Sequence, residues 1–181
     1  FLRLAKTAPD KIHVGQKVVV IGGGDVALDC ASTAKRLGAA DVKVVYRRTL
    51  EKMPASPKEK DRVHALNIPI FTGLKPAEIV GAQGKATRFR ATGMFDNSTL
   101  DLPADMVLLA IGQEADDLKT VGDFTLSGKA IATDKYKTNI DGVFAAGDIV
   151  EGDKTGVYAI KTGKEAAQSI KEYLAAKGGA K

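Results

Sequence analysis

Two spacings of apolar residues alternate along the first part of the chain. Val18–Ile21, Val42–Tyr46 and Ile68–Phe71 are short apolar runs of the kind that form buried strands. Between the first two runs, Asp25–Leu37 carries apolar residues at helical spacing, and Gly38 follows where a helix is expected to end. The residues predicted to face the sheet from this helix are Val26, Cys30, Ala34 and Leu37. Strands that alternate with a helix predict a parallel sheet and an α/β fold.

The spacing changes from Ala77 to Leu102, where short strand patterns are separated by Gly or Asn. Turn residues at Gln83-Gly84 and Asp96-Asn97 predict antiparallel hairpins, and hence a β-meander. Met106–Ile111 then predicts a further, fully buried strand.

Beyond Gly112 the pattern is different again. Glu114–Leu118 is polar and predicts a loop, and Phe124–Ala132 predicts a small hairpin. Val143–Asp148 predicts a short buried strand that ends in Gly-Asp, and Val157–Ala176 predicts one long amphipathic helix.

The composition is that of a soluble globular protein, since 44% of the 181 residues are hydrophobic and 27% are charged. Its apolar runs are far too short to cross a bilayer, and the N-terminal residues contain no long apolar stretch with a cleavage site. The one cysteine, Cys30, excludes an internal disulfide and a C-x-x-C redox pair. These features predict a cytoplasmic protein with no membrane partner.

The net charge of +5 is spread along the chain, and aromatic residues make up only 6% of it. Basic and aromatic residues do not interleave as a nucleic-acid stacking surface requires, so nucleic-acid binding is not expected. A mildly basic protein suits an anionic small ligand or an acidic partner equally well.

The most informative stretch joins the first strand to the first long helix. Gly22, Gly24 and Ala27 match G-x-G-x-x-G/A at this junction, as a dinucleotide-binding turn requires. The first glycine permits a tight turn, the second lets the backbone approach a pyrophosphate, and the small third residue lets helix pack on strand. The unpaired amides and the positive dipole end of the helix would face the phosphates. A glycine turn that only packs is the alternative, but strands on both sides of the helix favour dinucleotide binding.

Arg47 and Arg48 directly follow the second strand. NAD-specific folds place an acidic residue there, about 20 residues past the glycines, to bind the ribose 2′-hydroxyl. A guanidinium matches phosphate geometry, and each charged hydrogen bond contributes about 1.5–3 kcal/mol. One or two such bonds to a 2′-phosphate would give NADP a preference of roughly tenfold to several thousandfold. The alternative is a solvated charge pair at a strand end.

Other reactive side chains have simpler explanations. His13 and His64 have no acidic or serine partner at motif spacing, so both are expected at the surface. Cys30 is expected to pack in the core, and Asp25 is explained by its favourable interaction with the helix dipole. The sequence contains no metal-ligand cluster and no nucleophile motif, so it predicts no catalytic residue.

Three segments together resemble one family: VVVIGGGDVALDCASTAKRLGA, VVYRRTLEKMPA and DGVFAAGDIVEG…AIKTGKEAAQSI. They are similar to the two-dinucleotide-binding flavoprotein oxidoreductases, and most of all to the glutamate synthase small (β) subunit and its relatives. These relatives include the flavin-bearing subunit of dihydropyrimidine dehydrogenase and the large subunit of the bifurcating transhydrogenase. YRR followed by MPA is fairly specific to this subgroup.

The resemblance implies a domain organisation. In the family an NAD(P)H domain interrupts an FAD domain, and the chain then returns to complete the FAD domain. Residues 1–12 would be a lead-in, residues 13–112 a Rossmann-like NAD(P)H-binding domain, and residues 113–181 the C-terminal part of an FAD-binding domain.

The resemblance also implies site residues. The diphosphate of NADPH would lie against the glycine turn, at Gly22, Gly23, Gly24, Asp25 and Val26. The 2′-phosphate would be bound by Arg47 and Arg48. The cofactor cleft would be lined by Ala110, Ile111 and Gly112.

In the returning part, two short stretches resemble FAD contacts of the family. Gly147 and Asp148 would contact the FAD phosphate and ribityl group. The turn at the flavin ring would be formed by Thr155, Gly156 and Val157.

The family's first FAD-binding βαβ unit and its cysteine-rich iron–sulfur module have no counterpart in this sequence. We therefore expect the C-terminal portion of a larger enzyme, with FAD bound weakly or not at all. In that enzyme NADPH would pass hydride to FAD, and electrons would continue to an iron–sulfur protein or large subunit. An unfinished FAD domain would expose an apolar patch through which the fragment could form a homodimer.

Two other functions come from different classes. The first is a binding module that holds NADP(H) with no turnover of its own. The second is a free-standing dehydrogenase, which would need a Tyr-x-x-x-Lys pair or a placed histidine; Tyr173 and Lys177 have that spacing only at a helix end that is expected to fray. The first of these stays open.

Overall fold

Two compact units make up the structure, Phe1–Gly112 and Gln113–Lys181. The computed structural model describes residues 1–112 and 118–178. All but the last residue of the predicted loop Glu114–Leu118 lies outside the described residues.

The first unit is built from three helices and seven strands. The helices are α1 (Leu2–Thr7), α2 (Asp25–Arg36) and α3 (Pro57–Ala65). The strands are β1 (Lys17–Ile21), β2 (Asp41–Val45), β3 (Ile70–Phe71), β4 (Leu74–Ala82), β5 (Lys85–Gly93), β6 (Thr99–Pro103) and β7 (Met106–Leu109). The predicted lead-in forms α1, which contacts α2, so it is a packed part of this unit.

Four of these strands form a parallel sheet in the order β3-β2-β1-β7. In their registers Ile21 lies opposite both Val45 and Leu109, and Val45 lies opposite Phe71. The carboxyl ends of all four strands therefore meet at one edge of the sheet. The predicted α/β fold with a parallel sheet is confirmed.

Helix α2 begins at Asp25 as predicted and ends one residue earlier, at Arg36. Gly38 has a φ of +102°, and the amides of Gly38 and Ala39 donate to the carbonyls of Lys35 and Ala34. This pair of bonds is a Schellman motif, so glycine ends the helix for the expected reason.

The buried face of α2 differs from the predicted one at its start. Val26 is 60% exposed, so its predicted place on the buried face is wrong. The buried alanines Ala27 and Ala31 lie against the sheet instead, together with Ala34, which is there as predicted. Small residues permit the close approach of α2 to β1 that the glycine turn requires.

The predicted meander is confirmed as a second, antiparallel sheet in the order β4-β5-β6. Gln83 and Gly84 have φ values of 52° and 75°, as the type I′ turn of a two-residue hairpin requires. Strand β7 departs from prediction, because it is the outer strand of the parallel sheet and Leu109 is 65% exposed. An outer strand has a neighbour on one side only, so the apolar run predicted to be fully buried is half exposed.

Alternation along β1 places a core on each face of the parallel sheet. Val18 and Val20 pack with α2 and α3 on one face. Val19 and Ile21 pack with Phe89 of the meander on the other. The sheet is thus held between helices and meander, which fixes the strand ends that carry the candidate site.

The second unit contains strands β8 (Leu126–Ser127) and β9 (Ala130–Ile131) and helix α4 (Gly156–Gly178). The predicted hairpin and long helix are confirmed. The predicted buried strand Val143–Asp148 is wrong, because within the described residues Phe144 makes only an isolated bridge, to Lys137, and Gly147–Ile149 is a 3-10 turn. A strand forms only where a neighbour pairs with it along its length.

Few of the described side chains among residues 118–178 are buried, and they are Ile131, Val150, Thr162 and Ala166. Val157 and Ile160 at the start of α4 are 81% and 64% exposed. Within the described ranges, no helix combines the length and the apolar character that a membrane span needs.

We expect Phe89→Ala to lower the free energy of unfolding by about 3–5 kcal/mol, because Phe89 is 0% exposed and joins the meander to the sheet. Phe95 is the matched control, since it is 76% exposed on the same meander and its replacement by alanine should cost within about 0.5 kcal/mol. Urea unfolding of both variants measures the difference. Equal losses would contradict the assignment of the core.

Candidate dinucleotide-binding site

The candidate site lies at the carboxyl edge of the parallel sheet. Strand β1 has β2 on one side and β7 on the other, so the loops that follow β1 and β7 leave the sheet in a crevice between them. Ligands of open α/β sheets bind at such a point, where the strand order reverses. The sequence-predicted residues Gly22–Val26 and Ala110–Gly112 directly follow β1 and β7, and Arg47-Arg48 follow β2 after Tyr46, so the fold brings all three groups to this edge.

Gly22 is fixed by its neighbours on both sides. Its amide donates to the carbonyl of Val45 over 3.0 Å, while the amide of Ala110 donates to the carbonyl of Ile21 over 2.8 Å. Gly22 has a φ of +150°, and a Cβ there would lie 2.2 Å from the carbonyl oxygen of Ala110. A side chain at this position would force β1 and β7 apart.

The next two glycines are needed for different reasons. A Cβ at Gly23 would lie 2.3 Å from the ring of Tyr46, which packs behind the turn and donates from its hydroxyl to the carbonyl of Lys52. The sequence analysis predicted no packing role for Gly23. The aromatic Tyr46 at the end of the neighbouring strand could have indicated one, because its ring needs space beside the turn. At Gly24 a Cβ would meet no atom within 4 Å, so its open side is free for a ligand to approach.

Backbone amides at the start of α2 are available to an anion. No described residue accepts a hydrogen bond from the amides of Gly23, Gly24, Asp25 or Val26. The helix dipole adds partial positive charge at the same point. Amides without acceptors at a helix start suit the oxygens of a diphosphate.

The carboxylate of Asp25 is bonded to a residue outside the glycine turn. Its Oδ1 accepts a hydrogen bond of 2.6 Å from the amide of Ser56, the residue before α3. Next to it, the amide of Ala55 donates over 3.0 Å to the carbonyl of Gly23. The segment that covers this side of the turn, Thr49–Ser56, is thus tied to the glycine turn by two bonds.

Arg47 and Arg48 are both exposed, one residue beyond the end of β2. The carbonyl of Arg48 accepts from the amide of Gly73 over 2.9 Å, which fixes the backbone at this point. Within the described part of the chain, neither guanidinium has a carboxylate partner. Arg88 and Arg90 on the meander differ, because each forms an ion pair with Asp101.

Apolar side chains lie exposed beside the crevice. Ile111 is 73% exposed directly after Ala110, and Gly112 follows with a φ of +96°. Val26, in the first turn of α2, is exposed as well. Exposed apolar residues next to unpaired amides suit a ligand with one charged part and one flat, weakly polar part.

In the second unit, Gly147-Asp148 and the start of α4 are brought together. The amide of Gly147 donates over 3.0 Å to Oγ1 of the buried Thr162, and Lys154 donates over 2.7 Å to the carbonyl of Asp148. Thr155 is the N-cap of α4, since its Oγ1 accepts from the amide of Tyr158 over 3.2 Å. Asp148 and Val157 are exposed, and the Gly156 position has open space around it.

The remaining reactive residues lie where sequence reasoning put them. His13 and His64 are exposed. Cys30 is buried in the core of the first unit, and this burial raises the pKa of its thiol. In the second unit a hydrogen bond to Glu165 raises the pKa of Tyr136 to about 12, so its hydroxyl stays protonated at neutral pH. Across residues 1–112 and 118–178 there is no group of three or more His, Cys, Asp or Glu side chains arranged to bind a metal.

Residues 2–172 match the family described as pyridine nucleotide-disulphide oxidoreductase. The chain belongs to this family.

Two curated relatives are similar to this chain over nearly its whole length. The NAD-dependent dihydropyrimidine dehydrogenase subunit PreT of Salmonella typhimurium is 44% identical over 174 residues, which are 96% of this chain and 41% of that protein. The small chain of glutamate synthase [NADPH] of Azospirillum brasilense is 36% identical over 183 residues, covering 90% of this chain and 38% of that protein. The chain therefore spans about two fifths of the length of these relatives, and its resemblance to the glutamate synthase small subunit group is confirmed.

A solved structure supports the fold. Lactococcus lactis thioredoxin reductase, in its FR conformation, superposes with a TM-score of 0.78 at 25% identity. The match covers 89% of this chain and 54% of that one.

The two outer glycines of the turn should respond differently to alanine. Gly22→Ala should cost about 2–4 kcal/mol of unfolding free energy, because of its positive φ and its contact with the Ala110 carbonyl. Gly24→Ala should cost about 1 kcal/mol or less, yet weaken binding of an NADP(H) diphosphate about tenfold, because the new methyl occupies the open approach. Urea unfolding and calorimetric titration separate the two effects; a stable Gly22→Ala variant would contradict this geometry.

Proposed function

We propose that this chain is the NADPH-binding portion of a flavoprotein oxidoreductase similar to the glutamate synthase small subunit. The observation that supports it best concerns two groups at one sheet edge. Among the described residues, four backbone amides there have no acceptor and two guanidinium groups have no carboxylate partner. The first group suits a diphosphate, and the second suits the 2′-phosphate that distinguishes NADP from NAD.

For the coenzyme, NAD is a second candidate that has support. The 44%-identical relative is named NAD-dependent, whereas the 36%-identical glutamate synthase chain is named for NADPH. We favour NADPH, because this chain has Arg47 and Arg48 after β2 where an NAD-specific site has a carboxylate.

In the proposed reaction the coenzyme supplies hydride and FAD accepts it. The residues of this chain bind and orient the nucleotide. The amides at the start of α2 hold the diphosphate, and the arginines hold the adenosine end. The exposed apolar side chains of Val26 and Ile111 pack against the nicotinamide end. No side chain need act as an acid or base, since hydride transfer moves no proton through the protein.

FAD would be bound in the full-length protein, with Gly147, Asp148 and the residues 155–157 as this chain's contribution. The capped start of α4 and the exposed Asp148 fit that role chemically. Because the chain spans about two fifths of its relatives, the rest of such a site would have to come from residues outside it.

Electrons would continue from FAD to an iron–sulfur protein or a large subunit in the cytoplasm. The relatives named above carry "subunit" or "small chain" in their names, which is consistent with a larger assembly. The exposed apolar side chains of the second unit, such as Val157 and Leu174, would allow two copies of this chain to associate as a homodimer. A binding module that holds NADP(H) without turnover remains the alternative for the chain by itself.

The double variant Arg47→Ala/Arg48→Ala should lose most of its preference for NADPH over NADH. The loss should be about tenfold or more, since each charged hydrogen bond to the 2′-phosphate contributes about 1.5–3 kcal/mol. Calorimetric titration with both coenzymes measures it.

The matched control is Arg88→Ala/Arg90→Ala, which removes the same net charge from arginines that are already paired with Asp101. This control should keep the wild-type preference. Equal wild-type affinities for the two coenzymes, or an equal loss in both double variants, would contradict the assignment of the 2′-phosphate site.

The purified chain should bind FAD weakly or not at all, because its FAD contacts form only part of a site. Titration with FAD, followed by flavin absorbance and fluorescence, tests this expectation. A yellow preparation that retains stoichiometric FAD through gel filtration would contradict it.

A further inference from the structure

Asp25 is an unexpected residue for its position. It is the first residue of α2, where a carboxylate interacts favourably with the helix dipole. The same point is where we place the diphosphate, however, and a second negative charge there repels it. An electrostatic role therefore does not explain why a carboxylate is useful in a nucleotide site.

The hydrogen bond to Ser56 gives the carboxylate another role. It is the one hydrogen bond recorded for the Asp25 side chain within the described residues, it is short at 2.6 Å, and it joins residues 31 positions apart. The donor is the amide immediately before α3, so the bond connects the first residue of α2 to the start of α3.

The segment Thr49–Ser56, which we name the covering segment, is held at several points between the two charged parts of the site. It begins directly after Arg48, whose carbonyl is bound by Gly73. Tyr46 is bonded to its middle through the carbonyl of Lys52, and Met53 is buried in the core. Its far end is bonded to Gly23 and Asp25 of the glycine turn.

We propose that Asp25 is a positioning residue that fixes the covering segment against the glycine turn, and thereby fixes the spacing between the diphosphate amides and Arg47-Arg48. The proposal rests on the function proposed above and adds a determinant of coenzyme choice. The carboxylate of Asp25 repels the bound diphosphate, which weakens binding. It also holds the two binding groups at the separation that matches a ligand with both a diphosphate and a 2′-phosphate.

Two substitutions remove the bond from opposite sides. Asp25→Ala removes the acceptor together with its charge. Ser56→Pro removes the donor and keeps the charge, and Ser56 has a φ of −61° and a ψ of 151°, values that proline adopts without strain. Each should reduce the ratio of NADH to NADPH dissociation constants about five- to twentyfold. The double variant should lose no more than either single one, because both remove the same bond.

Asp25→Asn keeps the hydrogen bond to Ser56 and removes the negative charge. Its amide oxygen still accepts from Ser56, so the ratio should stay within about twofold of wild type, while both coenzymes bind about two- to tenfold more tightly without the repulsion. Asp29→Asn is the matched control one turn further along α2, where the carboxylate pairs with Arg62 instead. It should change neither the ratio nor the affinities by more than about twofold.

Hydrogen exchange of the Ser56 amide in the free protein tests the bond itself. The amide should be protected in wild type and in Asp25→Asn, and should exchange at least about tenfold faster in Asp25→Ala. If Asp25→Ala fails to fold, the comparison of Asp25→Asn with Ser56→Pro decides the question.

Wild-type discrimination retained by both Asp25→Ala and Ser56→Pro would overturn the proposal and leave the proposed function intact. An unprotected Ser56 amide in wild type would also overturn it. A wild-type chain that binds neither coenzyme would instead contradict the proposed function, and the proposal with it.

Discussion

Parallel pairing of β1 between β2 and β7 is the constraint on which the candidate site depends. Because Ile21 lies opposite both Val45 and Leu109, three loops leave the sheet side by side. The contact between Gly22 and the Ala110 carbonyl then fixes how closely the first and last of these loops approach. Burial of alternate β1 residues against the helices and the meander holds this edge in place. The sheet therefore brings the amides and the guanidinium groups to one edge, and the bond from Ser56 to Asp25 ties the segment between them to the glycine turn.

The candidate site differs from the rest of the surface in its polar groups, because several of them lack a hydrogen-bond or ion-pair partner within the described part of the chain. Arginines on the meander are paired with carboxylates, whereas Arg47 and Arg48 have no such partner in the described part of the chain. The carboxylate of Asp25, at the start of α2, accepts a hydrogen bond from the Ser56 amide. The unpaired amides, the helix dipole and the two arginines place positive charge at one edge of the sheet, against the one negative charge of Asp25. Such a field favours an anionic nucleotide, and it weakens as salt screens it.

Features set by local sequence were predictable, whereas features that depend on distant neighbours were not. The glycine turn, the helix end at Gly38 and the hairpin turn at Gln83-Gly84 follow from backbone conformations that few residues adopt. The burial of Val26, the strand at Val143–Asp148 and the full burial of β7 were wrong, because each depends on which element packs beside it. The packing of Tyr46 on Gly23 and the bond from Ser56 to Asp25 join residues 23 and 31 positions apart, and only the tertiary fold brings them together.

If one sheet edge binds the two charged ends of NADPH, as we propose, backbone amide and arginine side-chain resonances report on it directly. An ¹⁵N correlation spectrum of the chain should show NADPH shifting the amides of residues 22–26 and 110–112 together with the guanidinium signals of Arg47 and Arg48. NADH should shift the same amides and leave the guanidinium signals in place. Shifts confined to residues 118–178, or identical guanidinium responses to both coenzymes, would contradict the account.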